Sequence, residues 1–172
     1  MTSERAVEDQ ERADFLETLA DHRGFLRYTL RDLTDDQARE QTTVSALCLG
    51  GLIKHVTLAE EGWARFIVRG PEAVGSGSEG VEAHQAGFQM GKDETLAGLL
   101  DAYEEVARRT DELVVSLPTL DVSQPLPAAP WFEPGARWSA RRVLLHIIAE
   151  TAQHAGHADI IRESLDGAKT MG

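Results

Sequence analysis

From Ser139 to Gly167 the chain holds one unbroken helical period, and the stripe that has to turn inward is not purely apolar: residues 146–157 read HIIAETAQHAGH. An α-helix advances about 100° per residue, so with His146 at the origin Glu150 falls near 40°, His154 near 80° and His157 near 20°. Val143 and Ile161 fall at about 60°, and Ile147 and Leu165 at about 100°, so the polar wedge overlaps the apolar face. Imidazoles and a carboxylate on a buried face are costly unless they are paired or coordinated. Such a helix needs facing helices both to cover its apolar stripe and to satisfy its polar one.

Three more segments carry the helical period. The first spans about Asp9 to Leu33, with Phe15, Leu19, Leu26 and Leu30 at three/four spacing. Thr34 then precedes two acids in TDDQAR, the pattern of an N-cap on a helix of one or two turns. The second runs from about Leu49 to Val68 and stops at RGP. The third opens at Asp93, with Leu96, Leu99, Leu100, Tyr103, Val106, Leu113 and Leu117 as its buried stripe. The last is bounded by Ser139 as N-cap and Gly167 as C-terminal residue. No alternating strand pattern of useful length and no solenoid repeat appears. Four long helices predict an all-α fold, a four-helix bundle with long interhelical loops, with residues 1–172 as a single domain. The two long connections are GPEAVGSGSEGVEAHQAGFQMG and the proline-rich PTLDVSQPLPAAPWFEPGAR. At roughly 20 residues each they exceed what a compact bundle needs, and long loops often carry function.

The net charge of −12 argues against a nucleic-acid backbone or an anionic membrane surface as partner, since both would be repelled. No stretch approaches the ~18 apolar residues of a membrane span, and the charged start MTSERAVEDQERADF has no signal-peptide core. Cys48, the one cysteine, permits no internal disulfide and reads as a small buried hydrophobe. These features predict a cytoplasmic protein whose partner is a small molecule.

His146 and His157 stand about 16 Å apart along the helix axis at ~1.5 Å per residue. One ion, with bonds of about 2 Å, therefore cannot take the whole wedge. It can take one pair: His146/Glu150, Glu150/His154 or His154/His157. A third ligand has to come from another helix. His55, in GGLIKHVTLAEEGWARFI, shares its face with Leu52, Ala59, Gly62, Trp63 and Phe66 and so points inward. Inward histidines on two helices are how bundles build metal sites. His22 on the first helix reads as partly exposed or as an outer partner, and His84 as a solvated loop residue. Trp63 reads as core with a possible share in a pocket; Trp131, Phe132 and Trp138 read as core or loop packing or as an apolar lid, and Arg137, Arg141 and Arg142 as a solvated helix start or as binders of a substrate carboxylate.

GLIKHVTLAEEGW, followed about 90 residues later by HIIAETAQHAGHADIIRE, resembles the DinB/YfiT-like superfamily of metal-binding four-helix bundles, within it the mini-circle protein branch and, more distantly, the mycothiol-dependent maleylpyruvate isomerases. The resemblance covers nearly the whole chain, including the connector LRDLTDDQARE. It implies a metal site with one ligand on the second long helix and an i, i+4 pair on the last, which places the ligands at His55, Glu150 and His154. Many members of the superfamily have histidine where this chain has Glu150. His146 and His157 are then outer partners or alternative ligands.

Two nitrogens and a carboxylate suit a divalent metal, Zn²⁺ first, with Ni²⁺ and Fe²⁺ as alternatives. Three protein ligands leave a position open, the arrangement of a catalytic site. The resemblance implies thiol S-transfer or thiol-dependent isomerisation, the open position activating a low-molecular-weight thiol. The alternatives are a metal-dependent hydrolase and a non-catalytic metal- or ligand-binding bundle. The resemblance also implies a homodimer, by analogy alone.

Overall fold

The computed structural model describes residues 2–73 and 86–170. Its elements are α1 (Thr2–Thr29), α2 (Asp35–Arg39), α3 (Leu49–Arg69) followed by a 3-10 turn (Gly70–Ala73), α4 (Leu96–Ser116), the strands β1 (Ser123–Pro125) and β2 (Arg137–Ser139), and α5 (Ala140–Asp166). The four long helices form an all-α bundle. α5 packs against α1 and α3, α3 against α4, and α4 more sparingly against α1. The α3/α5 seam and the α1/α4 seam are therefore on opposite sides of the bundle.

Local chemistry explains most of the helix ends. The Thr34 hydroxyl accepts the Gln37 N–H at 3.3 Å while the Gln37 side chain accepts the Thr34 N–H at 3.0 Å, a reciprocal capping box. Ser139 caps α5 by accepting from the Arg142 N–H at 3.2 Å, and Gly167 ends it in the left-handed region at φ 81°. Cys48 is buried as expected, and its sulfur also caps α3 by accepting from the Gly51 N–H at 3.3 Å.

Three expectations need correction. α1 ends at Thr29, four residues before Leu33, and begins at Thr2 rather than near Asp9. Arg162 of α5 explains the early stop: its guanidinium donates to the carbonyls of Thr29 and Arg31, both at 2.7 Å, taking acceptors that a longer helix would use. α4 starts at Leu96 and not at Asp93, because the Thr95 hydroxyl caps it on the Gly98 N–H and the Asp35 carboxylate accepts from the Leu96 N–H at 2.7 Å. The proline-rich loop is not wholly irregular. Residues 123–125 pair antiparallel with 137–139, too short a hairpin for any periodic signal.

The core divides into two apolar clusters. One gathers Leu26, Leu30, Leu52, Ile53, Val56, Tyr103 and Ile161, the other Phe15, Leu19, Phe66, Val114, Val143, Leu144 and Ile147. Between them every long helix contributes polar side chains: Arg23 from α1, Glu60 from α3, Thr110 from α4, and Thr151 and His154 from α5, all buried. A polar belt thus crosses the bundle at mid-height. Its anchor is Arg23, which binds Glu60 through two nitrogens and Asp111 at 2.8 Å. Nothing in the spacing of these residues along single helices announces that belt, because it exists only across the four.

Two helical glycines have opposite environments. A Cβ on Gly51 would lie 1.9 Å from the Phe88 carbonyl oxygen, so the segment around Phe88 sits on α3 only because that position has no side chain. A Cβ on Gly62 would meet nothing within 4 Å. Gly51→Ala should therefore destabilise the chain by about 1–3 kcal/mol through overpacking. Gly62→Ala should stabilise it by up to about 1 kcal/mol through helix propensity. Thermal melts of the two variants check both signs; a neutral Gly51→Ala would show that the Phe88 segment does not rest there.

Candidate metal centre

α3 and α5 run antiparallel along their shared seam, and the inward stripes of both carry the candidate ligands. His55 and His154 are buried, at 3% and 7% exposure; Glu150 is half-buried between them. His55 Nε2 lies 3.4 Å from Glu150 Oε1, and His154 Nε2 lies 3.9 Å from the same oxygen. One ligand atom from each of the three lies within 4.8 Å of the others. The edge of a tetrahedron with bonds of about 2.1 Å is about 3.4 Å, so small rotations of these side chains would bring all three onto one ion. Of the pairs left open by the helical wheel, Glu150/His154 is the one that meets His55.

Electrostatics favours the form a cation would need. The hydrogen bond from His55 holds the Glu150 carboxyl below the ordinary glutamate range; burial opposes this, and His154 and His146 assist it. Glu150 is thus an acceptor-rich anion at the centre of an imidazole cluster.

The neighbouring histidines have distinct places. His157 Nδ1 lies 3.3 Å from His154 Nδ1. When His154 Nδ1 donates to His157 Nδ1, His154 Nε2 is left with its lone pair on the Glu150 side, the usual way an outer partner sets a ligand's tautomer. His146 is one turn before Glu150. Its ring contacts Trp63 at 4.8 Å and Trp138 at 5.2 Å, both edge to face. Burial lowers its pKa, which keeps it a neutral imidazole at neutral pH. His22 is half-buried against Phe25 and takes no part in the cluster. His84 lies outside the described residues.

Aromatic rings flank the cluster at both ends of the seam. Phe88 stacks on His55 with centroids 3.8 Å apart and a 16° interplanar angle, and meets His154 at 5.6 Å. Sequence reasoning missed Phe88, since a lone aromatic in a Gly-rich loop has no periodic partner; only the fit of its backbone onto Gly51 places it. At the other end Trp63 and Trp138 stack at 4.9 Å and 23°. Trp63 and Glu150 line one narrow crevice between α3 and α5, together with Glu60 and Thr151. Of the three aromatics expected as a lid, Phe132 and Trp138 join this wall, whereas Trp131 is 71% exposed. Of the arginines near α5, Arg141 is not merely solvated: it binds Glu11 and Asp121 and ties α5 to α1 and the loop before β1. A broader groove, between the end of α1 and the start of α4, is lined by Arg27, Tyr28, Arg31 and Leu100 and contains none of these residues.

The model of the mycothiol-S-transferase family, MST, matches residues 14–167. The chain belongs to that family. The match spans the connector, both histidine-bearing helices and the aromatic wall, and the family is a DinB/YfiT-like one, in keeping with the superfamily resemblance. No curated protein and no solved structure matches the chain. Within the described residues of this mycothiol-S-transferase family member, no helix is long and apolar enough to cross a membrane.

Proposed function

We propose that the protein is a metal-dependent transferase that moves a low-molecular-weight thiol, mycothiol by its family, onto an electrophilic small molecule. The observation that carries this reading is the meeting of His55, Glu150 and His154 on facing helices of a chain matched by the mycothiol-S-transferase family. Two imidazoles and one carboxylate make a donor set that fits Zn²⁺, and also Ni²⁺ or Fe²⁺. Three protein ligands leave room for a small molecule. When bound, such an ion supplies the positive charge that lets a thiol lose its proton at neutral pH.

The rest of the chemistry belongs to the chain. Glu150 and the two histidines fix where the sulfur must sit. His157 Nδ1 is placed to accept the Nδ1 proton of His154, the tautomer in which the near nitrogen of His154 keeps its lone pair. Phe88 covers His55 and limits water on that flank. The reaction forms a bond from sulfur to the electrophilic carbon, the leaving group departs with its electron pair, and the thiol proton passes to solvent.

The test is uptake followed by turnover. After chelation and reloading, the chain should hold about one divalent ion, as a three-ligand site in a single bundle requires. The loaded protein should then accelerate the reaction of mycothiol with a haloarene, and the chelated protein should not. Stoichiometric metal without any thiol transfer would leave a binding protein; no stoichiometric metal would remove the reading entirely. Position 150 has its own test. Glu150→His should keep or tighten zinc binding if the residue holds the ion directly. The same change should weaken binding about 10–100-fold if the carboxylate only orients a histidine. Competition against a chromophoric chelator separates the two.

A further inference from the structure

The thiol-transfer reading leaves open what kind of electrophile the site accepts, and the α3/α5 seam beside Glu150 bears on it. Trp63 and Trp138 stack there, Phe132 meets Trp138 edge-on at 5.7 Å, and the His146 ring stands nearly perpendicular to the two indoles, at 78° and 62°. All four residues are half-buried. The Arg142 guanidinium lies 4.3 Å from the Trp138 ring centroid, on the same helical stretch as His146. His146 is about 6 Å from Glu150 along α5, at ~1.5 Å per residue. Trp63 and Glu150 also border one crevice, too narrow to hold a water molecule.

We propose that this corner of rings is the acceptor subsite, and that it takes a flat, conjugated electrophile bearing an anionic or strongly electron-withdrawing group. The proposal rests on the thiol-transfer reading for its chemistry. Indole and phenyl faces and edges favour a planar π-system in stacked or perpendicular contact. The same surface would strand the hydroxyls of a sugar-bearing thiol without partners, which is costly. Arg142 places a full positive charge beside Trp138, matched to a carboxylate or nitro group. With the sulfur held at the triad and the ring held one turn away, the electrophilic carbon can come to the ~3–3.5 Å that attack requires. The sulfur–carbon bond forms there as the carbon–halide bond breaks, and halide leaves with the electron pair.

Trp138→Leu tests this, because Trp138 sits on β2 at the rim, whereas Trp63 also packs on Phe66 inside the bundle. With zinc-loaded protein and mycothiol, kcat/KM is measured for 1-chloro-2,4-dinitrobenzene and for iodoacetamide. The ratio of the two should fall about tenfold in the variant, the effect of losing one indole face against a bound ring. Calorimetric titration with 2,4-dinitrobenzoate, which has no leaving group, should show binding to the parent that weakens about tenfold in both Trp138→Leu and Arg142→Gln. An unchanged substrate ratio together with unchanged dinitrobenzoate binding overturns the subsite. If the parent transfers thiol to neither electrophile, the function reading fails, and the titration alone decides whether the ring corner binds planar anions.

Discussion

His154→Ala or His55→Ala should lower divalent-metal affinity by at least about a hundredfold. Even the loss of an outer partner of a ligating histidine costs about 10–100-fold, and these two side chains stand a tier closer. Both are buried and both face the Glu150 carboxylate, at 3.9 Å and 3.4 Å. Removal of either leaves two donors, too few to displace the water of a hydrated cation at micromolar concentrations. The change should appear in stability as well as in affinity. A ligand at a thousand times its Kd stabilises a fold by about 4 kcal/mol, so the parent should melt markedly higher with zinc than with chelator, and neither variant should. His22→Ala, outside the cluster, should keep the parent's zinc response. Equal loss of that response in His22→Ala would point to adventitious binding and remove the assignment.

Glu60→Ala should destabilise the bundle by about 3 kcal/mol, near the lower end of the cost of stranding one partner of a buried ion pair. Arg23 is 5% exposed and Glu60 1%, so the guanidinium cannot turn to water when its carboxylate is gone. Asp111 keeps part of the charge compensated, at 2.8 Å and from a side chain 43% exposed, which is why the loss stays at that end. For a chain of this size about 3 kcal/mol corresponds to a fall in Tm of about 6–12 °C. The double variant Arg23→Met with Glu60→Leu should recover most of it, because well-packed apolar residues replace a buried pair at little or no cost. If the double variant is no more stable than Glu60→Ala, the pair is not energetically coupled and the belt owes its order to packing alone.

The long helices were legible because their signals are local. Capping by Thr34 and Ser139, the stop at Gly167 and the apolar stripes each depend on residues within a few positions of one another. The boundaries that went astray were set partly from a distance. Asp35 holds the first N–H of α4 from 61 residues away, beside the local cap Thr95, and Arg162, far along the chain, helps decide where α1 ends. The hairpin of residues 123–125 and 137–139 is three residues a side and owes its existence to the start of α5, against which β2 leads directly. Arg23 and Glu60 looked like ordinary charged residues on amphipathic helices; that they face each other is a property of the packed bundle.

The sequence by itself determined that α5 carries imidazoles and a carboxylate on its inward face and that α3 answers with His55, since both follow from the 3.6-residue period. It left three ligand pairs open. The tertiary structure brings one of them, Glu150/His154, against His55 through the axial register of two antiparallel helices. That register sets His55 opposite His154, with Glu150 bridging, and it carries Trp63, eight residues on from His55, to His146, eight residues back from His154. A single helix has no means of specifying that offset. It is set where side chains of α3 and α5 interdigitate with those of α1 and α4, and one helical turn of slip would give His55 a different partner.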